Sequence, residues 1–468
     1  MVTHAGTGLA RVVIIAPSRR FAVALPEHVP VATLLPGVVR QAGEQAEPEL
    51  PDSPMWALGG WVLRRADGAL LDPTRTLSAL ELRHGETLHL VPRSADWPEP
   101  EYDDVVEAIA AGARSHGTPW SALATRRAGL VGAAVALLVA LGLIVRAESL
   151  PVGAVVAVVM GVVLLAVGTV LARAAGDSVA GAVFGAIGVP YLFVGGLLTL
   201  TDAGDRLGDL GAPHLLVAGT AALVGAAIGQ IGISDGEGVF IAGIVAGAAA
   251  AAGAALGLTS LDGTQSAAVV LTVLVLIHPA LPLISVRAGK VPIPTIPQTV
   301  EDLLRDEAPP PADSVFAAAR RGHVILTGLI QGVSLASAVC LALTARAGGV
   351  AAPLLSAIAV AALLLRTRAW RTVGMRVPML VAGGFGAALL LANVADRMSD
   401  LYLLGVIIPG LLIAAGLVAA AALVFSRRGG SPYPGRIADV LDVVLVLAIG
   451  PVLLAVLDLY GAMLDFKL

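Results

Sequence analysis

Apolar residues follow two different rhythms along this chain. From about residue 129 onward they form eleven long runs, at 129–145, 151–172, 178–200, 212–232, 238–257, 266–286, 323–344, 349–365, 377–395, 402–425 and 437–460. Each run is bounded by charged or turn residues. Each is close to the ~20 apolar residues a helix needs to cross a hydrocarbon core. Ahead of residue 96 the runs are short and punctuated. Residues 10–16 and 21–25 are rich in β-branched and apolar side chains and predict two strands of a hairpin, turned at Pro17 to Arg20. Val31, Leu34, Leu35, Val38 and Val39 then recur at helical spacing, and Pro36 reads as the start of the regular helix after a looser first turn.

The acidic, proline-containing stretch 44–54 reads as a loop and 61–63 as a third strand. Asp67-Gly68 is a turn signal, Leu70-Leu71 starts a short strand, and Leu77, Leu80 and Leu82 pack a turn. Gly85-Glu86 reverses the chain into a last strand at 87–91. The order β-β-α-β-β-turn-β in under 100 residues is the ubiquitin-like order. An unrelated small sandwich is the other reading. The fold class is therefore a mainly α-helical polytopic membrane protein of about eleven spans with an N-terminal α+β ubiquitin-like domain. Residues 1–95 form the head, 96–127 a linker and 128–468 the transmembrane bundle. Within the linker, Val105, Val106, Ile109 and Ala110 predict a short helix behind Asp103 and Asp104, either amphipathic and membrane-apposed or simply solvated.

Composition agrees with two solvent regimes. Hydrophobic residues make up 57% of the chain and charged ones 14%, against about 25% charged in soluble domains, and mean hydropathy is +0.87. A net charge of −4 argues against nucleic acid as a partner. The lone Cys340 makes no internal disulfide and no multi-cysteine metal site. No cleavable signal peptide is read, because the apolar stretch 12–16 is short and is followed by Arg19 and Arg20.

Charge also orients the spans. Arg126, Arg127, Arg173, Arg287, Lys290, Arg305, Arg320, Arg321, Arg366, Arg368, Arg371, Arg376, Arg427, Arg428 and Arg436 all fall on one side. Only Arg146, Arg206, Arg346, Arg397 and Lys467 fall on the other. The positive-inside rule makes the first side, and the head, cytoplasmic, and an odd span count places 462–468 outside. The inside loop 287–322 is the longest and splits the spans six and five. Pro292, Pro294 and Pro297 hold its start extended, 299–305 predicts a short helix, and 315–321 leads into the next span.

Buried chemistry is sparse. His278, beside Pro279 and Pro282, is the most central ionisable residue and is expected to make a structural hydrogen bond to backbone freed by the proline. Asp439 and Asp442 are expected to be solvated at the interface or paired with Arg427, Arg428 or Arg436. His214 lies near the outer start of its span, and Gln230, Gln331 and Asn393 are polar but uncharged. Gly181/Gly185 and Gly243/Gly247 are small-xxx-small pairs, read as packing within the chain or as an oligomer contact. No phosphate loop or zinc-protease helix appears, and Gly176 to Ala180 lacks the closing glycine of a nucleophile elbow. The chain thus reads as a non-enzyme, with no catalytic residue, cofactor or metal.

A ubiquitin-like head on an eleven-span Gly/Ala-rich bundle resembles the EccD family, the integral membrane component of type VII (ESX) secretion systems of actinobacteria. The head passage Leu25-Pro26-Glu27-His28-Val29-Pro30-Val31-Ala32-Thr33-Leu34-Leu35-Pro36 resembles that family's strand-to-helix connection. Leu77 to Leu80 with Gly85 to Leu88 resembles its last turn and strand, and Val291 to Pro297 its proline-rich loop start. The resemblance implies an inner-membrane complex with EccB, the ATPase EccC and EccE. It also implies pairing with a second copy around a lipid-filled space, and a head that docks onto the partners' cytoplasmic parts. Arg19, Arg20, Arg64, Arg65, Pro292, Pro294 and Pro297 are the partner-contact candidates. A secondary transporter with a regulatory head is the alternative, though no matching broken helices or central charged cluster supports it. A membrane-bound enzyme is a third reading.

Overall fold

Among the described residues, the head holds four strands and one helix. In the computed structural model β1 (Leu9–Ile15) pairs antiparallel with β2 (Arg20–Pro26) and parallel with β4 (Thr87–Pro92). β3 (Trp61–Arg65) closes the other edge, giving the order β2-β1-β4-β3. Alternation sends Val12, Ile14, Leu63, Leu88 and Leu90 inward, where they meet Val31 and Val38 of α1 (Val31–Ala42). The structure describes residues 8–17, 19–42, 61–65, 68–80, 82, 85–92, 120–233, 236–292, 311–427 and 432–460. The expected loop at 44–54, the linker helix near 103–112, the helix at 299–305, Pro294, Pro297, Arg428 and the tail 462–468 lie outside these residues.

Two expectations for the head are corrected. α1 is regular from Val31, so Pro36 sits inside it rather than at its start. The first-turn amides, which no helix satisfies internally, are held from outside: Val31 N donates to Arg75 O (3.1 Å) and Ala32 N to Pro73 O (2.9 Å). The strand expected at Leu70-Leu71 shrinks to one bridge, Arg64 to Leu70, with Leu71 N donating to Leu63 O. Gly68, at φ +92°, turns the chain just before it, and Pro73 ends the pairing just after.

The second compact unit runs from Ser121 to Leu468. Among the described residues it contains eleven helical segments long and apolar enough to cross a membrane. They are α2 (Ala122–Val145), α3 (Leu150–Arg173), α4 (Ser178–Leu198), α5 (Ala212–Gly232), α6 (Glu237–Gly257), α7 (Gly263–Ile277) continued by α8 (Leu281–Ala288), α9 (Ala312–Thr344), α10 (Ala351–Arg366), α11 (Val373–Ala395), α12 (Ile408–Arg427) and α13 (Pro432–Val456). α2 and α9 start well before the apolar runs at 129 and 323. Ser121 caps α2 by accepting from Ala124 N (3.1 Å), and the alanine-rich start of α9 continues the helix beyond the apolar run. The expected loop 287–322 is therefore shorter, because helix occupies both of its ends.

Helix packing follows the glycines. α3, α4, α5 and α6 pack in sequence, and α6 meets α9 of the second group. A Cβ on Gly181 would lie 2.5 Å from Gly168 O of α3, and one on Gly247 would lie 2.7 Å from Leu223 N of α5. Both small pairs thus serve close approach within the chain. α12 is preceded by a π-helical turn, Leu403–Ile407, ahead of Pro409, which cannot donate one turn back. None of the residues in its apolar window is buried.

At the end of the bundle where α2 begins, Arg126 donates to Asp177, the N-cap of α4, at 2.5 Å. Asp177 also accepts from Ala180 N (3.0 Å). The Ala180 amide first, and then Arg126, hold its carboxyl below the ordinary carboxylate value. A depressed folded-state pKa contributes stability above the unfolded value, and this contribution is lost as pH falls through the lowered one. Asp177→Asn is expected to lower the thermal midpoint of the detergent-purified chain at pH 7, with the gap to wild type closing on acidification. A gap that widens at low pH would refute the assignment. In Gly219→Leu the new Cβ would sit 2.5 Å from Ala251 N, so a loss of about 1–3 kcal/mol is expected. Gly384→Leu, which meets open space, is expected to be neutral in the same melts.

Candidate functional site

The sequence offered two kinds of functional position: arginines and prolines for partner contact, and a few polar groups inside the spans. In the head, Arg19 and Arg20 lie at the β1–β2 turn, where Arg20 is in register with Ile15 and the Arg19 guanidinium stands 5.2 Å from the Phe21 ring centroid. Arg64 and Arg65 lie on β3, at the opposite edge of the sheet. The strand order therefore separates the two pairs rather than joining them in one patch. Arg65 is engaged internally, with its Nε 3.2 Å from Glu86 Oε1 and Nη2 donating to Leu80 O at 2.5 Å. Pro292 is exposed just past α8, after Lys290 takes a φ of 51°.

Within the bundle the polar groups converge in a way the sequence reading missed. α7 and α8 are separated by a 3-10 turn, His278–Ala280, that contains Pro279. Proline has no N–H, so the carbonyl of Val275 one turn earlier loses its helical donor. The donor is Arg366, the last residue of α10 and only 9% exposed, whose Nη1 reaches Val275 O at 2.5 Å. The rest of that guanidinium grips Asp442 of α13 in a forked contact, Nε to Oδ1 at 2.8 Å and Nη2 to Oδ2 at 3.3 Å. Two residues on, Arg368 pairs with Asp439 and donates to Gly435 O at 2.6 Å.

Two expectations are thereby corrected. Asp442 pairs with Arg366, and Asp439, which stays largely exposed as expected of an interfacial acid, pairs with Arg368, because the end of α10 packs along α13; the side chains of Arg427 and Arg428 lie outside the described residues. His278 is 2% exposed, yet neither ring nitrogen has a hydrogen-bond partner among the described residues. It stands edge-on to Trp370, with centroids 5.9 Å apart. The freed carbonyl went to the longer, charged donor. The one legible signal was the pair of spacings, Arg366/Arg368 and Asp439/Asp442, both short enough to face each other across two helix ends.

Other polar groups do similar work. Arg397 donates to Ala347 O (3.1 Å), Gly349 O (3.0 Å) and Asn393 Oδ1 (3.0 Å), and Asn393 donates to Ala345 O (2.7 Å). Arg173 donates to Ile231 O and Gly232 O at the end of α5. These are scaffold contacts: each closes a helix end against a neighbouring helix. Arg366→Leu is expected to cost about 3–5 kcal/mol in unfolding of the detergent-purified chain, since it strands Asp442. Adding Asp442→Leu is expected to recover part of that and leave about 1–3 kcal/mol for the unpaired Val275 carbonyl. Complete recovery in the double variant would show that the carbonyl contact contributes nothing.

Comparison with known proteins agrees with this scaffold character. A family model described as the EccD-like transmembrane domain matches residues 125–466. A second, described as YukD of the WXG100 protein secretion system, matches residues 9–90. The ESX-4 secretion system protein eccD4 of two Mycobacterium tuberculosis strains is 34% identical over 126 residues, 27% of this chain. The chain thus spans about a quarter of those relatives' length, 26%. Protomer 1 of the ESX-3 core complex shares the fold, at 20% identity and TM-score 0.58, over 97% of this chain and 100% of that one. So does a chain of the MycP5-free ESX-5 inner membrane complex in State II, at 20% identity and TM-score 0.56, over 88% and 100%. With one family model covering the spans and the secretion-system YukD model covering the head, the chain belongs to the EccD family.

Proposed function

We propose that this chain is a structural membrane subunit of a type VII protein secretion core complex. The observation that carries the reading is the union, in one chain, of the EccD-type bundle and the YukD-type head. The polar groups support it. They are spent on closing helix ends and pinning helices together, and the ion pairs Arg366–Asp442 and Arg368–Asp439 join α10 to α13. A transporter would call for ionisable groups aimed at a central pathway. Here the most central one, His278, is sealed against Trp370.

On this reading the chain is a multi-pass protein of the bacterial inner membrane and does no catalysis of its own. Its partners are EccB-, EccC- and EccE-type subunits and a second copy of itself, with an EccC-type ATPase supplying the energy. The one-sided arginines support a head in the cytoplasm, and the odd span count a C-terminus outside. Arg19 and Arg20 form one docking edge of the head and Arg64 the other, with Pro292, Pro294 and Pro297 as further partner-contact positions.

Gentle-detergent purification of the tagged chain from native membranes is expected to bring down an ATPase and further membrane subunits in a large complex, identified by mass. Recovery of a lone monomer or homodimer would move the reading to the transporter alternative. A reporter fused after Leu468 is expected to give an extracytoplasmic signal; a cytoplasmic one would mean an even number of spans.

A further inference from the structure

The head's sheet ends on one side in β2, which pairs with β1 and with no other strand among the described residues. The register runs unbroken from Arg20 opposite Ile15 to Pro26 opposite Leu9. In an antiparallel pair, positions whose backbone groups bond across the pair alternate with positions whose groups point away. Ala16 N donates to Arg19 O (2.9 Å) and Glu27 N to Gly8 O (2.8 Å), so Arg19, Phe21, Val23, Leu25 and Glu27 are the positions that bond to the β1 side. The intervening residues of β1 turn toward β4: Val13 N donates to Glu86 O (2.9 Å), and Arg11 O accepts from Gly85 N (2.7 Å). Their partners in register, Ala22 and Ala24, therefore aim N–H and C=O at the open edge, and so does Arg20.

Edges of this kind are ordinarily blunted by a bulge, a proline or a charge in mid-strand. The stretch Phe21-Ala22-Val23-Ala24-Leu25 has none of these. Ala22 and Ala24 are exposed, and their small side chains leave the main chain open to approach. On the other face Phe21 and Val23 are only half-buried against the core, which leaves apolar surface beside the edge. Charge selects what fits there. From Leu9 to Pro26 the chain carries Arg11, Arg19 and Arg20 and no acidic residue. Arg19 and Arg20, both exposed, stand at the start of β2, and Glu27 follows its end, so the edge runs from positive to negative. A second copy would bring up a hairpin of the same sign.

We propose that β2 accepts an extended segment of a partner subunit as an added strand of the head's sheet. The segment places alternate apolar residues on the Phe21 and Val23 side and Asp or Glu at the end beside Arg19 and Arg20. This rests on the reading of the chain as a subunit of a larger complex, and it names the chemistry of one contact in that complex. Main-chain bonds to Arg20, Ala22 and Ala24 supply affinity, and the arginines fix the polarity in which the segment lies.

The test uses the full tagged chain, purified in gentle detergent from native membranes, with Ala24 replaced by the photo-cross-linking residue benzoylphenylalanine. Irradiation and peptide mapping are expected to place the label on an acid-flanked extended segment of a co-purified subunit. Ala22→Pro removes an outward N–H and leaves the bonds to β1 in place, a change that an edge strand tolerates. It is expected to lower the cross-link yield about ten-fold, with hydrogen exchange at β1 and β4 unchanged. Arg19→Glu combined with Arg20→Glu leaves the backbone untouched and serves if Ala22→Pro does not fold. It is expected to lower the yield about as much and to abolish the fall in yield that added salt causes in wild type. Label on residues 93–119 of the same chain, or on a second copy, would overturn the proposal. A complex that purifies intact but gives no label, or the same label in both variants, would overturn the added strand alone. A wild-type chain that purifies without partners would overturn the complex reading as well.

Discussion

A backbone carbonyl that loses its helical donor inside hydrocarbon has no water to turn to, and in this chain arginine takes the donor's place. Pro279 creates the need at Val275, and Arg366 meets it from another helix while holding Asp442. A guanidinium suits this role because its five donors point in fixed directions, so one arm can serve a carbonyl while two serve a carboxylate. The break between α7 and α8, the end of α10 and the start of α13 are located by that single group. Arg397 and Asn393 repeat the arrangement between α9 and α11, and Arg173 repeats it at the end of α5. Charge in this bundle is structural cement placed at helix ends.

Glycine supplies the complementary device. Where no polar group links two helices, backbones approach until main-chain atoms touch, as at Gly168 against Gly181 and Gly219 against Gly247. Dispersion between closely set backbones replaces the hydrophobic drive that lipid removes. The same small residues that close the α5–α6 seam leave a neighbouring cavity of about 860 Å³ open, because a face made of glycine and alanine fills only what it touches directly.

The spans and the succession of elements along the head were legible because both rest on strong periodic signals, lipid-length apolar runs and short alternating strands. The exact start of α1 was not, because the amides of Val31 and Ala32 are satisfied by a loop more than forty residues away. The helical starts of α2 and α9 were hidden because hydropathy reports the solvent and not the helix. Asp439 and Asp442 were read as interfacial acids because their partners depend on which helix ends meet. His278 showed that a polar residue beside a proline does not thereby win the freed carbonyl. Arg19 and Arg64 fall on different edges because strand order, unlike strand content, is a tertiary property.

The exposure of α12 carries a consequence for how the chain is made. A helix with no buried residue in its apolar window gains nothing from tertiary contacts on entering the bilayer, so it must insert on its own mean hydropathy of 2.5. α13 follows it and brings Asp439 and Asp442, residues of a type that costs about 2.5–3.5 kcal/mol to insert at a helix centre. By then Arg366 and Arg368 have already been synthesised, since they precede the acids in the chain. Translation order thus delivers the cations before the anions, and the last span arrives at a membrane that already holds its counter-charges.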